Sequence, residues 1–401
     1  MKPLENIRVL DFTRVLAGPT CTRILAELGA QVTKVEPPSG DIGRMAAPQI
    51  RGQSAYYLQL NGGKRNLSID LNWPEAREAA LKLCHKADVI VENFRPGTMK
   101  TFGLDYESVR QQNPAVVYVS MSGYGQNTPW STRPAFAPTV QAESGATQTQ
   151  MDHFGDDLLQ PVTDWASHAD VYTGLEGAIA VLAGLNKRNA TGTGLHGDVS
   201  MMATMLAVNE RLHAQINELD ATDEPLALGA PESPIFKVAD GSFVTIAASP
   251  ISSGVFMRYC GMMGRNDLRT DSRFATPALR RKNLKALLSE VQNWMRSFRS
   301  FEELEYQVSG AGGLAVGKVR TAADLLETDW AQSADPTYTS LVGDLEIRLP
   351  KGPWLFNGRD SGALSAAAPR GANNHEVLSE AGFDDATIKA WEDAGILSSD
   401  L

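Results

Sequence analysis

The sequence predicts an α/β fold, because short apolar runs alternate with amphipathic helices along the first half of the chain. Ile7–Phe12 predicts a buried strand, and Gln31–Glu36 predicts a second strand that stops at two prolines. Residues 21–28 between them have helical character, and Gly29 ends that helix. A strand, a helix and a strand within about thirty residues form a βαβ unit, which implies a parallel sheet.

The same alternation continues along the chain. Trp73–His85 and Asp105–Gln112 predict helices, and each is followed by an apolar strand, at 88–92 and at 115–120. Pro74 stands in the first turn of the first of these helices, where its missing N–H costs nothing. We therefore expect a Rossmann-like large domain with a parallel sheet.

The loops at the carboxyl ends of these strands are the expected site of ligand binding, as in other open α/β sheets. They are residues 13–18, 93–97 and 121–126, and each contains glycine, which permits close approach of a ligand to the backbone. Two basic clusters, Lys64-Arg65 and Arg95 with Lys100, could meet phosphates on this face, although solvated surface charge is the commoner explanation of any single one of these residues.

The chain of 401 residues is long enough for two domains, and its second half differs in pattern from the first. Residues 218–233 are rich in Asp, Glu, Pro and Ala and predict a linker after a first domain at 1–217. Residues 234–330 predict a smaller α+β domain, with a strand at 243–247 and helices near 252–263, 282–297 and 321–328.

Composition narrows the class of protein. A hydrophobic content of 43% and a charged content of 21% are ordinary for a soluble globular protein. The formal net charge of −10 argues against a general affinity for nucleic acid or anionic membrane. The three cysteines are too few and too far apart for a disulfide framework or a thiolate metal site, which favours a reducing compartment. With no signal-peptide pattern and no apolar run of about 20 residues, we expect a soluble cytoplasmic protein.

The most informative stretch runs from His168 to Met202. Apolar residues recur at helical spacing and predict one buried amphipathic helix over 171–185, through Val171, Leu175, Ala178, Ile179, Leu182 and Leu185. Asp170 stands immediately before this helix, so it is either an ordinary N-cap or an ionised carboxylate held as a nucleophile. The glycines at 192, 194 and 197 match a dinucleotide fingerprint only formally, because they follow a helix rather than a strand, and we interpret them as a turn.

A family resemblance rests on blocks of sequence in a fixed order. Residues 11–19 (DFTRVLAGP), 28–38 (LGAQVTKVEPP), 61–67 (NGGKRNL), 91–97 (VENFRPG) and 122–126 (SGYGQ) resemble successive blocks of the class III CoA-transferases, a family that includes the α-methylacyl-CoA racemases. Residues 169–171 and 191–201, with the helix between them, resemble the central block of that family, and 234–243 and 374–378 resemble its tail.

The resemblance implies an activity and a set of site residues. In the transferases, the carboxylate at the position of Asp170 attacks an acyl-CoA thioester, and CoA then passes to a carboxylic acid acceptor without a metal. The resemblance carries CoA contacts onto Leu16, Ala17, Asn93, Phe94 and Arg95, and less securely onto Leu71, Asn72, Lys100 and Thr101. Leu16 would make one wall of the pocket apolar.

The resemblance also implies an assembly and a domain arrangement. The family forms an interlocked homodimer, in which each chain threads through the other, and residues 331–401 would return to the large domain. No nucleic-acid or membrane partner is expected.

Two alternatives stay open at this point. The racemases use a His in the segment that corresponds to Arg133–Gln141, and this chain has none there, although His153 and His168 lie nearby in sequence. A catalytically silent acyl-CoA-binding protein would keep the CoA cleft and lose the nucleophile, but Asp170 is present. A metal hydrolase is disfavoured, because the six histidines lack ligand spacing.

Overall fold

The computed structural model describes residues 2–148, 166–210, 212–217 and 235–400, which divide into two compact units. One unit comprises residues 1–210 and 335–401, and the other comprises residues 211–334. The predicted domain boundaries stay a prediction, and the predicted linker at 218–233 lies outside the described residues.

A six-stranded sheet organises the larger unit. The strands of its first two hundred residues are β1 Arg8–Asp11, β2 Gln31–Glu36, β3 Gln49–Ile50, β4 Gln53–Ser54, β5 Arg65–Ser68, β6 Val89–Glu92, β7 Val117–Ser122 and β8 Leu195–Ser200. The order in the main sheet is β5-β2-β1-β6-β7-β8, and every neighbouring pair is parallel. The predicted α/β fold with a parallel sheet is confirmed. Because strand order reverses between β1 and β6, the crevice for a ligand is expected at their carboxyl ends.

Helices cover both faces of this sheet. They are Ala17–Glu27, Ala55–Asn61, Pro74–Lys86, Thr98–Thr101, Tyr106–Val109, Ala137–Glu143, His168–Thr191, Met201–Ala207, Asn374–Glu380 and Asp385–Asp393. One apolar cluster joins the sheet to the helices Ala17–Glu27 and His168–Thr191, and another joins the opposite face to Pro74–Lys86 and the two C-terminal helices. A two-stranded hairpin, formed by Thr337–Val342 and Leu345–Pro350, completes the unit.

The helix predicted at 21–28 begins four residues earlier, at Ala17. Gly18 and Pro19 therefore lie in its first turn and do not break it. A proline is tolerated there, because the first N–H groups of a helix have no partner within the helix.

The helix His168–Thr191, called the central helix below, contradicts the predicted burial pattern. Val171, Leu175, Ile179 and Leu182 are 36–56% exposed, although the pattern placed them in the core. The buried face instead carries small residues such as Gly174 and Gly184. A Cβ on Gly174 would lie 2.6 Å from the carbonyl oxygen of Ala17, and one on Gly184 would lie 2.5 Å from the Val117 side chain. Close packing against a neighbouring helix and β7 therefore requires small residues on the buried face. Of the six residues that periodicity placed in the core, Ala178 and Leu185 are buried, and the other four are exposed in the single chain.

The turn that follows the central helix agrees with its predicted role. Gly192 caps the helix in the left-handed conformation with a φ of 73°, and β8 begins three residues later, at Leu195. The structure thus shows a helix-to-strand turn at these glycines.

The smaller unit is built around a three-stranded antiparallel sheet. Its strands are β9 Ile235–Lys237, β10 Phe243–Ile246 and β11 Val316–Lys318, in the order β11-β10-β9. Its α-helices are Leu212–Ile216, Ser253–Met262, Pro277–Lys282, Leu284–Met295, Phe301–Glu305, Ala322–Leu326 and Asp329–Ala334. The predicted strand at 243–247 and the helices near 252–263 and 282–297 are observed, and they pack on an apolar core that includes Val244, Tyr259 and Val291.

Candidate active site

One cavity opens where the loops after β1 and β6 diverge, at the switch point of the main sheet. Its volume is about 230 Å³. The lining residues come from those two loops, from the loop after β7, from the segment 131–136 and from the start of the central helix. This is the edge at which α/β sheets bind ligands.

Asp170 lies in this cavity, but it is not the N-cap of the central helix. Ser167 precedes the helix as its N-cap, and Asp170 is the third helical residue. Burial raises the pKa of Asp170 to about 6, although hydrogen bonds from the backbone N–H groups of Ala137 and Ala17 lower it. The carboxylate is therefore mostly ionised at neutral pH, and it is sheltered enough from water to react.

The two N–H groups that face Asp170 belong to the first residues of two helices, Ala17–Glu27 and Ala137–Glu143. The first N–H groups of a helix have no partner in the helix itself, so they are available to an anion. The second of these helices is fastened to the central helix, because Gln141 Oε1 accepts the Ala169 N–H at 3.2 Å. The starts of two helices thus place the N–H groups of Ala17 and Ala137 beside the Asp170 carboxylate.

The loop after β1 is held by polar side chains at successive residues. Thr13 donates its N–H and its hydroxyl to Asp11 Oδ1, at 2.8 and 2.6 Å, and its carbonyl accepts a hydrogen bond from Lys34 Nζ at 2.7 Å. Asn93 accepts the Arg14 N–H at 2.8 Å and donates to the Arg14 carbonyl at 2.9 Å. This loop carries the chain into Ala17, so its rigidity fixes one donor to Asp170.

The structure brings together only part of the predicted site. Ala17, Asn93, Phe94 and Arg95 line the Asp170 cavity. A second cavity of about 430 Å³ lies next to it, and Arg95 lines both cavities. Lys100 lines the second cavity only.

Four predicted contact residues line neither cavity, namely Leu16, Leu71, Asn72 and Thr101. The side chain of Asn72 is bound to Asp70 Oδ1 at 2.8 Å, and the Thr101 hydroxyl donates to the Thr98 carbonyl at 2.7 Å. Leu71 packs on the core, and Leu16 precedes a helix while its neighbours Val15 and Ala17 face the cavity. The predicted apolar wall at Leu16 is thus not part of this cavity.

The basic cluster Lys64-Arg65 does not face the cavity. The Lys64 ammonium is buried and lies 3.1 Å from Asp11 Oδ2, and burial lowers its pKa to about 8 although Asp11 raises it. Arg65 pairs with Glu376 and Glu380 at 3.2 and 2.8 Å. Both charges serve the fold, so the interpretation as phosphate ligands is wrong for this pair.

Sequence reasoning missed several lining residues, above all Arg14, Ile42, Arg133 and Phe136. Arg14 stands in a loop that was expected to face a ligand, so its position was a usable signal. Arg133 forms an ion pair with Glu143, and its guanidinium lies 4.5 Å from the Trp130 ring centroid. None of the described residues that line the Asp170 cavity is a histidine.

The second cavity contains a buried acid of its own. Burial raises the pKa of Glu92 to about 7, although the Ser120 hydroxyl and the Phe94 N–H lower it by hydrogen bonding. The Ser120 hydroxyl also lies 2.9 Å from Nε2 of His196, which stacks on Tyr106 with ring centroids 5.2 Å apart. Glu92, Ser120, His196 and Tyr106 line the second cavity only, whereas Phe94, whose N–H binds Glu92, lines the Asp170 cavity.

The described residues contain no group of His, Cys, Asp or Glu side chains that could hold a metal ion. No described helix has the length and apolarity needed to cross a membrane.

Comparison with known proteins decides the family. The model of CoA-transferase family III matches residues 4–374. The chain belongs to CoA-transferase family III. It is 33% identical over 341 residues to a succinyl-CoA:mesaconate CoA-transferase of Haloarcula hispanica, covering 82% of this chain and 83% of that protein.

Two further relatives extend the comparison. A succinyl-CoA:glutarate CoA-transferase of Homo sapiens is 34% identical over 300 residues, covering 72% of this chain and 66% of that protein. The crystal structure of Rv3272 from Mycobacterium tuberculosis superposes with a TM-score of 0.79 and 29% identity, over 94% of this chain and 99% of that one. The present protein is thus a CoA-transferase, and its reaction moves CoA between an acyl-CoA and a carboxylic acid.

Proposed function

We propose that Asp170 carries the transfer as a covalent nucleophile. The observation that carries this proposal is a sheltered carboxylate with a pKa of about 6, held by two backbone N–H groups in the cavity at the switch point. A nucleophilic carboxylate must be ionised and partly free of water, and this environment meets both conditions.

The reaction balances without a metal or a net proton. The Asp170 carboxylate attacks the thioester carbon of the donor. The C–S bond breaks, the CoA thiolate departs, and Asp170 is joined to the acyl group as a mixed anhydride. The thiolate then attacks the Asp170 carbonyl carbon, which releases the donor acid and forms an aspartyl-CoA thioester. The acceptor carboxylate reverses the sequence through a second anhydride, and the new acyl-CoA leaves with Asp170 restored.

The N–H groups of Ala17 and Ala137 suit the steps in which Asp170 itself is attacked. They face this carboxyl group and lower its pKa. When a thiolate or carboxylate adds to the Asp170 carbonyl carbon, the negative charge develops on an oxygen of this group, and fixed donors stabilise it. We therefore propose these two groups as oxyanion donors.

The CoA moiety is assigned to the crevice between the loops after β1 and β6. Ala17, Asn93, Phe94 and Arg95 line it beside Asp170, and Arg95 continues into the neighbouring cavity with Lys100. Arg95 and Lys100 are exposed cations, so a phosphate can reach them. Leu71, Asn72 and Thr101 line neither cavity, which weakens their case as CoA contacts.

The substrate acids are proposed from the relatives and from the cavity. Relatives that are 31–34% identical are named for succinate, mesaconate, glutarate and citramalate, which are dicarboxylic acids, and one that is 33% identical is named a probable fatty acyl-CoA transferase. Three arginines line the cavity, Arg14, Arg95 and Arg133, and a guanidinium suits a second carboxylate. We therefore propose short dicarboxylic acids as the substrates.

A homodimer, interlocked as in the family, remains part of the proposal. The exposed apolar face of the central helix, Val171, Leu175, Ile179 and Leu182, supports it, since monomers rarely leave such a stripe in water. A second copy of the chain is the occupant that the family resemblance implies. The proposed cytoplasmic location is supported only by three buried, unpaired cysteines.

The test is Asp170→Asn with succinyl-CoA as donor and mesaconate, glutarate and other short acids as acceptors. We expect the variant to fold normally, to form no CoA adduct by mass spectrometry, and to lose several orders of magnitude in transfer rate. Asp198→Asn is the matched control, because Asp198 binds the Gln126 N–H at 2.9 Å and does not line the cavity. A rate for Asp170→Asn within about tenfold of wild type, a loss of only ~1.4 kcal/mol, would contradict the covalent route.

A further inference from the structure

Arginine side chains outnumber carboxylates among the described residues that line the Asp170 cavity. Three arginines line it, Arg14, Arg95 and Arg133, whereas Asp170 is the one carboxylate among its described lining residues. Glu143 neutralises Arg133 through an ion pair. Arg95 lines the neighbouring cavity as well, so its charge is available to the phosphates of CoA. Arg14 lines the Asp170 cavity but not the neighbouring cavity.

Arg14 is held in place more firmly than a surface arginine. Its backbone N–H and carbonyl are both bonded to the Asn93 side chain, at 2.8 and 2.9 Å, across the gap between β1 and β6. Its guanidinium carbon lies 4.9 Å from the centroid of the Phe94 ring, which fits a cation–π contact. The neighbouring residue Thr13 is fixed by Asp11 and Lys34.

Two residues predicted to contact CoA, Asn93 and Phe94, instead hold Arg14 in place. Asn93 uses both polar atoms of its amide on the backbone of Arg14, and Phe94 supplies a platform for the guanidinium. Among the residues that the structure describes, no carboxylate pairs with that guanidinium. A positioned arginine without an internal anion is prepared for an anionic ligand.

We propose that Arg14 binds the second carboxylate of a short dicarboxylic substrate while the first reacts at Asp170. This rests on the proposed function, and it makes Arg14 the residue that distinguishes dicarboxylic from monocarboxylic acids. A guanidinium can hold a carboxylate through two parallel N–H···O bonds, which fixes the direction of the acyl chain as well as its charge. Asn93 and Phe94 are positioning residues for Arg14.

Succinate and butyrate test the proposal, because they have the same chain length and differ in the second carboxylate. Glutaryl-CoA serves as donor throughout, so that transfer to succinate or to butyrate forms a different acyl-CoA. In a ping-pong reaction, kcat/KM for the acceptor reports only on the step between the CoA-loaded enzyme and the acceptor. Wild type should prefer succinate, and Arg14→Gln should lower kcat/KM for succinate by about 10- to 100-fold, as expected for charged hydrogen bonds. The value for butyrate should change less than threefold.

Two further variants separate binding from structure. Arg14→Lys keeps the charge but not the bidentate geometry, so it should recover part of the preference for succinate. Arg95→Gln should raise KM for acyl-CoA and leave the ratio of succinate to butyrate unchanged.

An equal loss with both acids in Arg14→Gln would overturn the proposal and would place Arg14 at CoA or in the fold. Equal kcat/KM values of the wild type for succinate and butyrate would also overturn the role of Arg14, but they would not contradict the proposed CoA transfer. Absence of CoA transfer to every acid by wild type would instead refute the proposed function.

Discussion

The backbone N–H of Val15 donates to the Asp41 carboxylate at 3.1 Å, although Val15 has a φ of 68°. A positive φ is rare for a β-branched residue and is kept only where the surroundings enforce it. Asp41 in turn lies 3.0 Å from the Lys34 ammonium, and both side chains are 1% exposed. A buried ion pair therefore fixes the strained loop that carries Arg14 into the site and ends at the Ala17 donor.

Asp41→Ala should destabilise the protein strongly, because it leaves the Lys34 ammonium buried without its closest carboxylate. Breaking a buried pair in this way typically costs about 3–5 kcal/mol. The measurement is the free energy of unfolding by urea at pH 7. Glu78→Gln is the control, since it removes one partner of an exposed pair with Lys82 at 3.0 Å and should cost about 0.5 kcal/mol or less. Equal effects of the two changes would contradict the role of Asp41.

Charge on the exposed face of the central helix should prevent assembly. Leu175 and Ile179 are 42% and 56% exposed, so Leu175→Lys with Ile179→Lys changes no described core contact but places two ammonium groups in the proposed interface. Light scattering should find a dimer for wild type and loss of the folded dimer for the double variant. Leu325→Lys is the control, because Leu325 is 40% exposed in the smaller unit. A folded wild-type monomer at micromolar concentration would contradict the dimer.

Local patterns were sufficient for the parallel sheet but not for the packing of its helices. The apolar runs before Phe12 and Pro37 predicted strands well, because burial on both faces of a parallel sheet leaves a continuous apolar run. On the central helix, periodicity identified Ala178 and Leu185 as buried but also placed four exposed residues in the core. Close approach to β7 requires glycine on the buried face, whereas periodicity counts only large apolar residues.

Contacts between residues far apart in the chain could not be predicted from local sequence patterns either. Lys64 stands 53 residues from Asp11, and only the fold shows that their charges meet in the interior and not at a phosphate. Asp170 was found through the resemblance, whereas its two N–H donors come from separate helices that no local pattern connects. Arg14 could have been suspected from its loop, but its partner Asn93 is 79 residues away.

The pH dependence of transfer should follow the ionisation of Asp170, whose pKa burial raises to about 6. The nucleophile is the ionised form, so kcat/KM for the donor should rise tenfold per pH unit below pH 6 and reach a plateau above it. Stability should change in the opposite direction. A folded pKa above the unfolded value of 3.8 means that the native state holds the proton more tightly, and stability falls as pH rises from about 4 to 6. Asp170→Asn should therefore gain up to about 3 kcal/mol at pH 8 and almost nothing at pH 4.

Ala137→Pro provides the sharpest test of the environment that sets this pKa. It removes the N–H that faces Asp170 at the first position of the helix Ala137–Glu143, where proline is tolerated. Phe136 before it is extended, with φ −140° and ψ 160°, as a residue before proline must be. Loss of the donor should move the acidic limb of the rate profile above pH 6, while circular dichroism stays that of wild type.

Glu92→Gln is the matched control, because Glu92 has a raised pKa of about 7 but lines only the second cavity. It should leave the acidic limb near pH 6. The acidic limb of the rate profile could instead lie near pH 7, disappear in Glu92→Gln and stay in place in Ala137→Pro. That result would assign the ionisation that controls the rate to Glu92. Such a result would contradict the proposal that two helix N–H groups hold a reactive carboxylate at Asp170.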